Sequence, residues 1–506
     1  MSRAKRYAAS MVSGYTALGM NIVYTLASIP LALHYLDAKN FGLWALIMQV
    51  SGYLALVEFG TSTAISRILA DHKDDRDSGN YGSVIKTAFA VSVVQAAVIA
   101  LMGILAAPLI ARLLITEIDF RSTFVHLLQV HAAFLALSYG LRPLGFPLWC
   151  NNRQDVGNYI ISIMFLLMLA FMWGAFHFGF GIWSFVWANS FGLGFSLIAT
   201  WWVVRRLGLY PAPGCWGKIS FKRFWEIFSY SRDIFLMSVG TQLVSASQLL
   251  VVSRFLGLEA AAVWSIGTKL YQMAQQMVCR ILDYSAPALT EMFVRGERDR
   301  YINRFRDLVV LTAASAIFVG LCGSVVNADF VNLWTHGKVQ WESRHDVLLA
   351  ILLFVTTISR CHTCLISMTK EIRGMRYLFL VEGIFFIILS CLFVRQFGLT
   401  AILCASILAN ICCSGVYGIW RNASMIGLTR TTIAFIWIKR PLVCYLFSAA
   451  SAFLIFNSTR NLHGLTQLVL TASISTLVLG FLMWVVALSP RLRSELMGIF
   501  KGYISK

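Results

Sequence analysis

Five polar side chains interrupt the long apolar stretch from Trp264 to Glu291: Lys269, Gln272, Gln276, Arg280 and Asp283. On a helix they fall within an arc of roughly 80° and stack over about 21 Å of its length. A charge at bilayer depth costs about 2.5–3.5 kcal/mol, so a stripe of this kind must face protein or water. Pro287 follows Asp283 by one turn and cannot donate to its carbonyl, which predicts a kink there. The pattern predicts a helix lining a hydrophilic cavity. The competing account pairs Arg280 with Asp283 and makes the stripe a set of contacts between helices.

Other residues suited to chemistry lie within apolar runs. Glu58 and Asp283 are acids at corresponding places in two such runs, and buried carboxylates hold protons more tightly than exposed ones, which suits coupling to protons or sodium. An ion pair or helix contact is the structural alternative. Arg142 sits in Gly140-Leu141-Arg142-Pro143-Leu144-Gly145-Phe146-Pro147. Two prolines and two glycines argue against continuous helix, and loosened backbone at membrane depth is tolerated only inside protein or a cavity. His131 and Ser138 are expected to share the Arg142 face. Arg360 opens Arg360-Cys361-His362-Thr363-Cys364, whose Cys-x-x-Cys lacks a second ligand cluster for metal chemistry. Arg142, Lys269, Arg280 and Arg360 outnumber the clear intramembrane acids Glu58, Asp283 and Glu382, which favours an anionic cargo. Arginine forks match phosphate oxygens. Arg142, Lys269, Gln272, Gln276, Arg280 and Arg360 are thus the candidate substrate-binding set, and Glu58 and Asp283 the candidate ion-coupling pair. Ser238, Thr241, Gln242, Ser245 and Gln248 line one face of another span and could bond sugars, water or a neighbouring helix. No phosphate-binding glycine loop and no nucleophile–base constellation is present, so nothing points to an enzyme or to a resident cofactor.

The elements that position these residues are membrane spans. Of 506 residues, 58% are hydrophobic and 13% charged, about half the charge of a soluble domain. The basic amino terminus leads into an apolar run too long for a signal peptide, which reads as the first span. Spans are predicted near 11–36, 41–66, 84–115, 122–149, 156–178, 180–204, 229–254 and 260–287, then 307–333, 346–368, 377–396, 398–420, 440–457 and 465–488. With the amino terminus inside, only eight of the 42 lysines and arginines fall in outer loops and four within spans. That asymmetry predicts cytoplasmic termini, and it accounts for the charge of +19 without nucleic acid. The cysteines sit mostly in apolar runs as small hydrophobes, with no disulfide framework.

The chain repeats. Tyr35-Leu36-Asp37-Ala38-Lys39 through Trp44-Ala45-Leu46 aligns without gaps on Phe255-Leu256-Gly257-Leu258-Glu259 through Trp264-Ser265-Ile266, and Val57-Glu58-Phe59-Gly60 parallels Leu282-Asp283-Tyr284-Ser285. Six spans separate the copies, which makes this a parallel repeat about an axis along the membrane normal, a transporter plan with the site between halves. The organisation expected is a first lobe over 1–210 and a cytoplasmic linker over 211–228, its Ser220–Phe228 end an interfacial helix with a basic face toward lipid headgroups. A second lobe over 229–425, two further spans over 436–490 and a cytoplasmic tail over 491–506 follow. The largest outer loop is expected over Asp329–Arg344.

Phe41-Gly42-Leu43-Trp44, Leu56-Val57-Glu58-Phe59-Gly60 and Ala64-Ile65-Ser66-Arg67, with fourteen spans and the repeat, resemble the polysaccharide-exporter family. That family includes lipid-linked oligosaccharide (O-antigen) flippases, within the superfamily of multidrug-and-toxin extruders and lipid II flippases. The resemblance implies an all-α polytopic membrane protein of two six-helix lobes around a central cavity, two extra carboxy-terminal helices, and alternating access. Glu58 matches the acid that precedes glycine in the family's second span, whereas Ser285 replaces glycine at the second-half site. The implied function is to move an undecaprenyl-pyrophosphate-linked oligosaccharide across the bacterial inner membrane, with protons or sodium as the coupling ion. A cation-coupled multidrug extruder would show more cavity acids than cations, and a glycan polymerase or ligase would need a larger outer domain. Expected partners are the anionic lipid-linked oligosaccharide, membrane lipids and polysaccharide-assembly proteins, around a monomeric chain.

Overall fold

The computed structural model describes residues 3–368, 373–459 and 464–504, and among these no residue is in a β-strand. Eleven helical runs are long and apolar enough to cross a membrane, and a bent pair, Ile118–Gly140 with Arg142–Cys150, makes a twelfth. One of the eleven, Ile234–Val294, is 61 residues long, about twice what one crossing needs even with generous tilt. A further helix of 24 residues, Trp183–Arg206, lies outside that set. The chain is a multi-pass membrane protein, and its packing divides it into two compact units, 1–262 and 263–506.

The first unit opens with α1 (Arg3–Tyr35), α2 (Ala38–Leu54), α3 (Thr61–Asp71), α4 (Asn80–Leu105), α5 (Ala107–Leu114) and α6 (Ile118–Gly140). It continues with α7 (Phe146–Cys150), α8 (Gln154–His177), α9 (Trp183–Arg206), α10 (Phe221–Ser245) and the greater part of α11 (Ser247–Gly267). α1 packs on α8, α4 on α6, α8 on α9, and α10 on α3. Ile65, Leu69, Tyr81, Ile85, Phe146 and Ile227 form a core that ties α3, α4, α7 and α10 together. The chain between α9 and α10 is strapped to this core by hydrogen bonds: Arg76 donates to the Gly208 carbonyl (2.9 Å), Ser83 to that of Lys218 (2.6 Å) and Lys86 to that of Gly217 (3.0 Å). Ser220 caps α10 as its residue type predicts. The amphipathic stretch after it is not a separate interfacial helix, however. It forms the first turns of α10, which continues unbroken into the apolar run.

Breaks fall where the repeat predicts correspondence. α1 and α2 meet at Asp37, whose carboxylate accepts from the Asn40 amide at 2.8 Å. The aligned residue, Gly257, interrupts α11 with φ 90° and ψ 176°, a conformation essentially reserved for glycine. Its missing cap is supplied from elsewhere: Glu117 Oε1 accepts the Leu258 amide at 3.3 Å. Gly42 is also required, because a side chain there would run into the Leu258 carbonyl.

The second unit comprises α12 (Lys269–Val294), α13 (Arg298–Trp334), α14 (Ser343–Met368), α15 (Arg373–Phe397), α16 (Leu399–Asn410) and α17 (Val416–Ile426). It ends with α18 (Arg430–Ile433), α19 (Lys439–Thr459), α20 (Gly464–Leu482) and α21 (Pro490–Ile504). α13, at 37 residues and about 55 Å, is its axis, packed by α12, α14, α19 and α20. Its length corrects the expected outer loop: helix persists to Trp334, so the loop before α14 is only residues 335–342. α12 is helical throughout with no break at Pro287. The break beside this span is at Gly257 instead, where backbone conformation demands it.

Candidate functional site

In the first unit the acid of the repeat sits at a rupture in its helix. α2 tightens into a 3₁₀ turn over Ala55–Glu58, and Phe59 (φ 54°) and Gly60 (φ 71°) are left-handed before α3 begins. Gly60 is needed both for that conformation and because a Cβ would lie 2.7 Å from Ile234 Cγ2. The rupture frees the Glu58 carbonyl, which accepts from Gln95 Nε2 at 2.9 Å, while Glu58 Oε1 accepts the Ser62 amide at 3.2 Å. Its Oε2 pairs with Arg142.

Arg142 reaches Glu58 because of the second rupture that its prolines and glycines predict. α6 ends at Gly140, a 3₁₀ turn covers Arg142–Gly145, and the chain turns by 43° into α7. The Arg142 guanidinium lies 5.2 Å from the Tyr139 ring centroid. His131 and Ser138 do not share its face, since the helix stops between them. His131 is buried against Trp44, their ring centroids 5.6 Å apart. Beside Glu58 an apolar cavity of about 640 Å³ is lined by Phe59, Thr61, Gln95, Phe221, Phe224 and Phe228.

The second unit contains the matching arrangement. Asp283 of α12 pairs with Arg360 of α14, Nη2 to Oδ1 at 3.2 Å. The side chains of the pair are 41% and 52% exposed, so the charges face outward from the packed core. Asp283 is repeat-equivalent to Glu58, and each acid takes an arginine two spans further along. The two halves thus share a carboxylate–guanidinium pair, although α12 has no counterpart of the Gly60 rupture.

Because Asp283 is taken by Arg360, the pairing of Arg280 with Asp283 does not form. Among the described residues no acid pairs with Arg280, which is half-buried. Further up α12, Lys269 Nζ reaches Gln272 Oε1 at 3.4 Å, Gln272 donates to Thr268 Oγ1 at 3.1 Å, and Gln276 is exposed. Tyr271, Ala274, Val278 and Leu282 fill the opposite, buried side of the helix. The stripe therefore exists as its spacing predicts, turned away from the core.

Cys361 and His362 are buried in α14, Asn422 Nδ2 meets His362 Nδ1 at 3.0 Å, and no group of three potential metal ligands occurs among the described residues. The polar face predicted from Ser238 to Gln248 is divided by the joint between α10 and α11, and the Thr241 and Ser245 hydroxyls donate to carbonyls of their own helix. Sequence reasoning missed Gln95, which donates to the Glu58 carbonyl, and Glu117, which accepts from the Leu258 amide. Neither lies in a periodic pattern that would have marked it.

Comparison with known proteins agrees with this architecture. The chain aligns with an inward-closed structure of the lipid II flippase MurJ at a TM-score of 0.64 and 12% identity, over 95% of this chain and 99% of that one. It aligns with an inward-facing multidrug resistance MATE family transporter of the MOP superfamily at 0.63 and 15%, over 80% and 94%. A MOP superfamily transporter from Pyrococcus furiosus follows at 0.59 and 16%, over 84% and 97%. At these identities the likeness establishes a shared transporter fold. No curated protein matches the chain. The family described as polysaccharide biosynthesis protein matches residues 6–293. That match takes in the first unit together with the polar stripe of α12, and by it the chain belongs to the polysaccharide biosynthesis protein family.

Proposed function

We propose that the protein is a flippase that carries an undecaprenyl-pyrophosphate-linked oligosaccharide from the cytoplasmic to the outer leaflet of the bacterial inner membrane by alternating access. The observation that carries this reading is the excess of cations over acids off the packed core: Arg142 and Arg360 are paired with one acid each, and the part-buried Lys269 and Arg280 have no acid partner among the described residues. A pyrophosphate bears two or more negative charges and cannot cross hydrocarbon without such partners. Bidentate guanidinium forks suit its oxygens, and Gln272 and Gln276 offer hydrogen bonds to the adjoining sugars. Lys269 and Arg280 lie about 16 Å apart along α12, too far for one pyrophosphate to bridge, so they act in succession.

The acid–arginine pairs suggest how coupling works. A coupling cation at the Glu58 or Asp283 carboxylate cancels the negative partner and releases the arginine to an anionic cargo. The carboxylate and the cargo compete for a single guanidinium. The lipid-linked character of this substrate is supported by family membership and by the likeness to a lipid II flippase.

The test is accumulation. Cells lacking the gene should build up one lipid-linked glycan on the cytoplasmic leaflet, and the wild-type gene should clear it. If no lipid-linked glycan changes leaflet distribution while drug efflux falls, the protein is a multidrug extruder and this reading fails.

A further inference from the structure

The outer end of the second unit holds a carboxylate that the transport reading does not use. Asp346, in the first turn of α14, is fully buried, as is Asn327 of α13. Asp346 Oδ1 accepts two bonds, from Asn327 Nδ2 at 2.7 Å and from Trp341 Nε1 at 2.8 Å. The remaining oxygens, Asp346 Oδ2 and Asn327 Oδ1, are both sealed from solvent and have no hydrogen-bond donor. The orientation of the amide is fixed, because its Nδ2 also donates to the Gly267 carbonyl at 2.9 Å, and a flip would set oxygen against oxygen.

The groups around Asp346 supply no compensating charge. From α12, Tyr271 donates to the Asp346 backbone carbonyl at 3.1 Å. His345 lies tilted against Trp341, their ring centroids 5.1 Å apart, and the exposed Glu342 and Arg344 pair with each other. No cation pairs with Asp346 among the described residues. A buried, unpaired carboxylate beside an acceptor with no donor is a costly arrangement. One added hydrogen removes both deficits, since a neutral carboxyl carries an O–H that can serve an amide oxygen.

We infer that Asp346 is a proton-binding site, its carboxyl protonated on Oδ2 and donating to Asn327 Oδ1 while Nδ2 of the same amide donates back to Oδ1. The reaction is the addition of one proton to the Asp346 carboxylate, and its loss returns an anion into a site without a counter-ion. The site joins the start of α12 through Gly267, the α13–α14 loop through Trp341, and the two long helices through Asn327 and Asp346. Loss of the proton therefore loosens the outer ends of these elements together. This inference is independent of the cargo.

Asp346→Asn is the informative variant, because its amide donates to Asn327 Oδ1 as the carboxyl would, without titrating. Infrared difference spectra of the purified full chain in lipid nanodiscs, wild type minus Asp346→Asn at neutral pH, should contain a protonated-carboxyl C=O band that shifts in D₂O. Thermal unfolding should complement this: the wild-type midpoint falls as pH rises through the titration of the site, whereas that of Asp346→Asn stays level. A proton held in the folded state stabilises below the titration and is lost above it, which fixes that sign. Absence of the band, its removal by sodium chloride at constant pH, or parallel melting of the two proteins would each overturn the proposal.

Discussion

At the scale of single residues, the two acid–arginine pairs are the feature most open to experiment. Glu58 is positioned by backbone as much as by charge: Ser62, Gln95 and Arg142 all meet it at a point where the helix is already broken. Exchange of its carboxylate for an amide leaves the two backbone-directed contacts possible and removes the charge together with the oxygen that accepts from Arg142. Glu58→Gln should insert at the wild-type level and lose dependence on the proton or sodium gradient. Transport measured over a series of pH values and sodium gradients checks this, and a profile superimposable on the wild type would make Glu58 a structural residue. The Glu58 half of the site was readable in advance from its repeat position and the following glycine. Its partner was not, because Arg142 comes close only through a turn whose direction depends on tertiary packing. The same holds for Arg360, whose sequence neighbourhood of two cysteines and a histidine gives no sign that it meets Asp283.

At the scale of elements, the asymmetry of the repeat has a physical cause at two positions. Gly60 permits the left-handed backbone that breaks the first-half helix, and Ser285 in its place goes with continuous helix in the second. Conversely, Asp37 caps its own helix, whereas Gly257, which must be glycine for its φ of 90°, has no side chain to do so and borrows Glu117. Burial pushes the Glu117 carboxyl up, but hydrogen bonds from Thr116, its own amide and that of Leu258, with Lys39 nearby, outweigh it and hold the group below the ordinary glutamate range. A depressed folded value means that the cap contributes fully above the ordinary value of 4.5 and that its contribution disappears as pH falls through the folded one. Glu117→Ala should therefore destabilise the protein by about 1 kcal/mol at neutral pH, the usual worth of such a cap, and by less in acid. Thermal melts of the two proteins across the acid range test the sign. A pH-independent difference would mean that packing, not the charge-assisted cap, accounts for Glu117. Hydropathy predicted spans over 229–254 and 260–287, which cross the joints between α10, α11 and α12. It could not distinguish an interfacial helix from the first turns of α10, because the same basic and aromatic residues suit either.

At the scale of the whole molecule, the bias of lysine and arginine predicts an orientation that side-chain packing does not address. Both termini and the α12–α13 turn should be cytoplasmic and the α13–α14 loop external. Arg300 and Gln340 are exposed, so cysteine in either place will react if reagent reaches it. An impermeant thiol reagent added outside intact cells should label Gln340→Cys above the background of the native cysteines and leave Arg300→Cys at that background. The opposite pattern would invert the topology and with it the direction of transport. The parallel repeat, the all-helical membrane class and the family followed from hydropathy, a gapless internal alignment and one short motif. Individual span limits did not, since 61 helical residues from Ile234 to Val294 carry no polar loop to mark where one crossing ends.

If cations off the packed core serve an anionic, lipid-linked cargo, Arg280 is the residue to change, because no acid pairs with it among the described residues. Its loss cannot be explained by a widowed carboxylate. The measurement is the rate at which undecaprenyl-pyrophosphate-linked oligosaccharide moves from the inner to the outer leaflet in cells carrying wild type, Arg280→Gln or Arg280→Lys, with membrane levels of the protein matched. A charged hydrogen bond is worth about 1.5–3 kcal/mol, so Arg280→Gln should slow transfer by about tenfold or more, and Arg280→Lys should recover it in part. Transfer at the wild-type rate by a normally inserted Arg280→Gln protein would contradict the account.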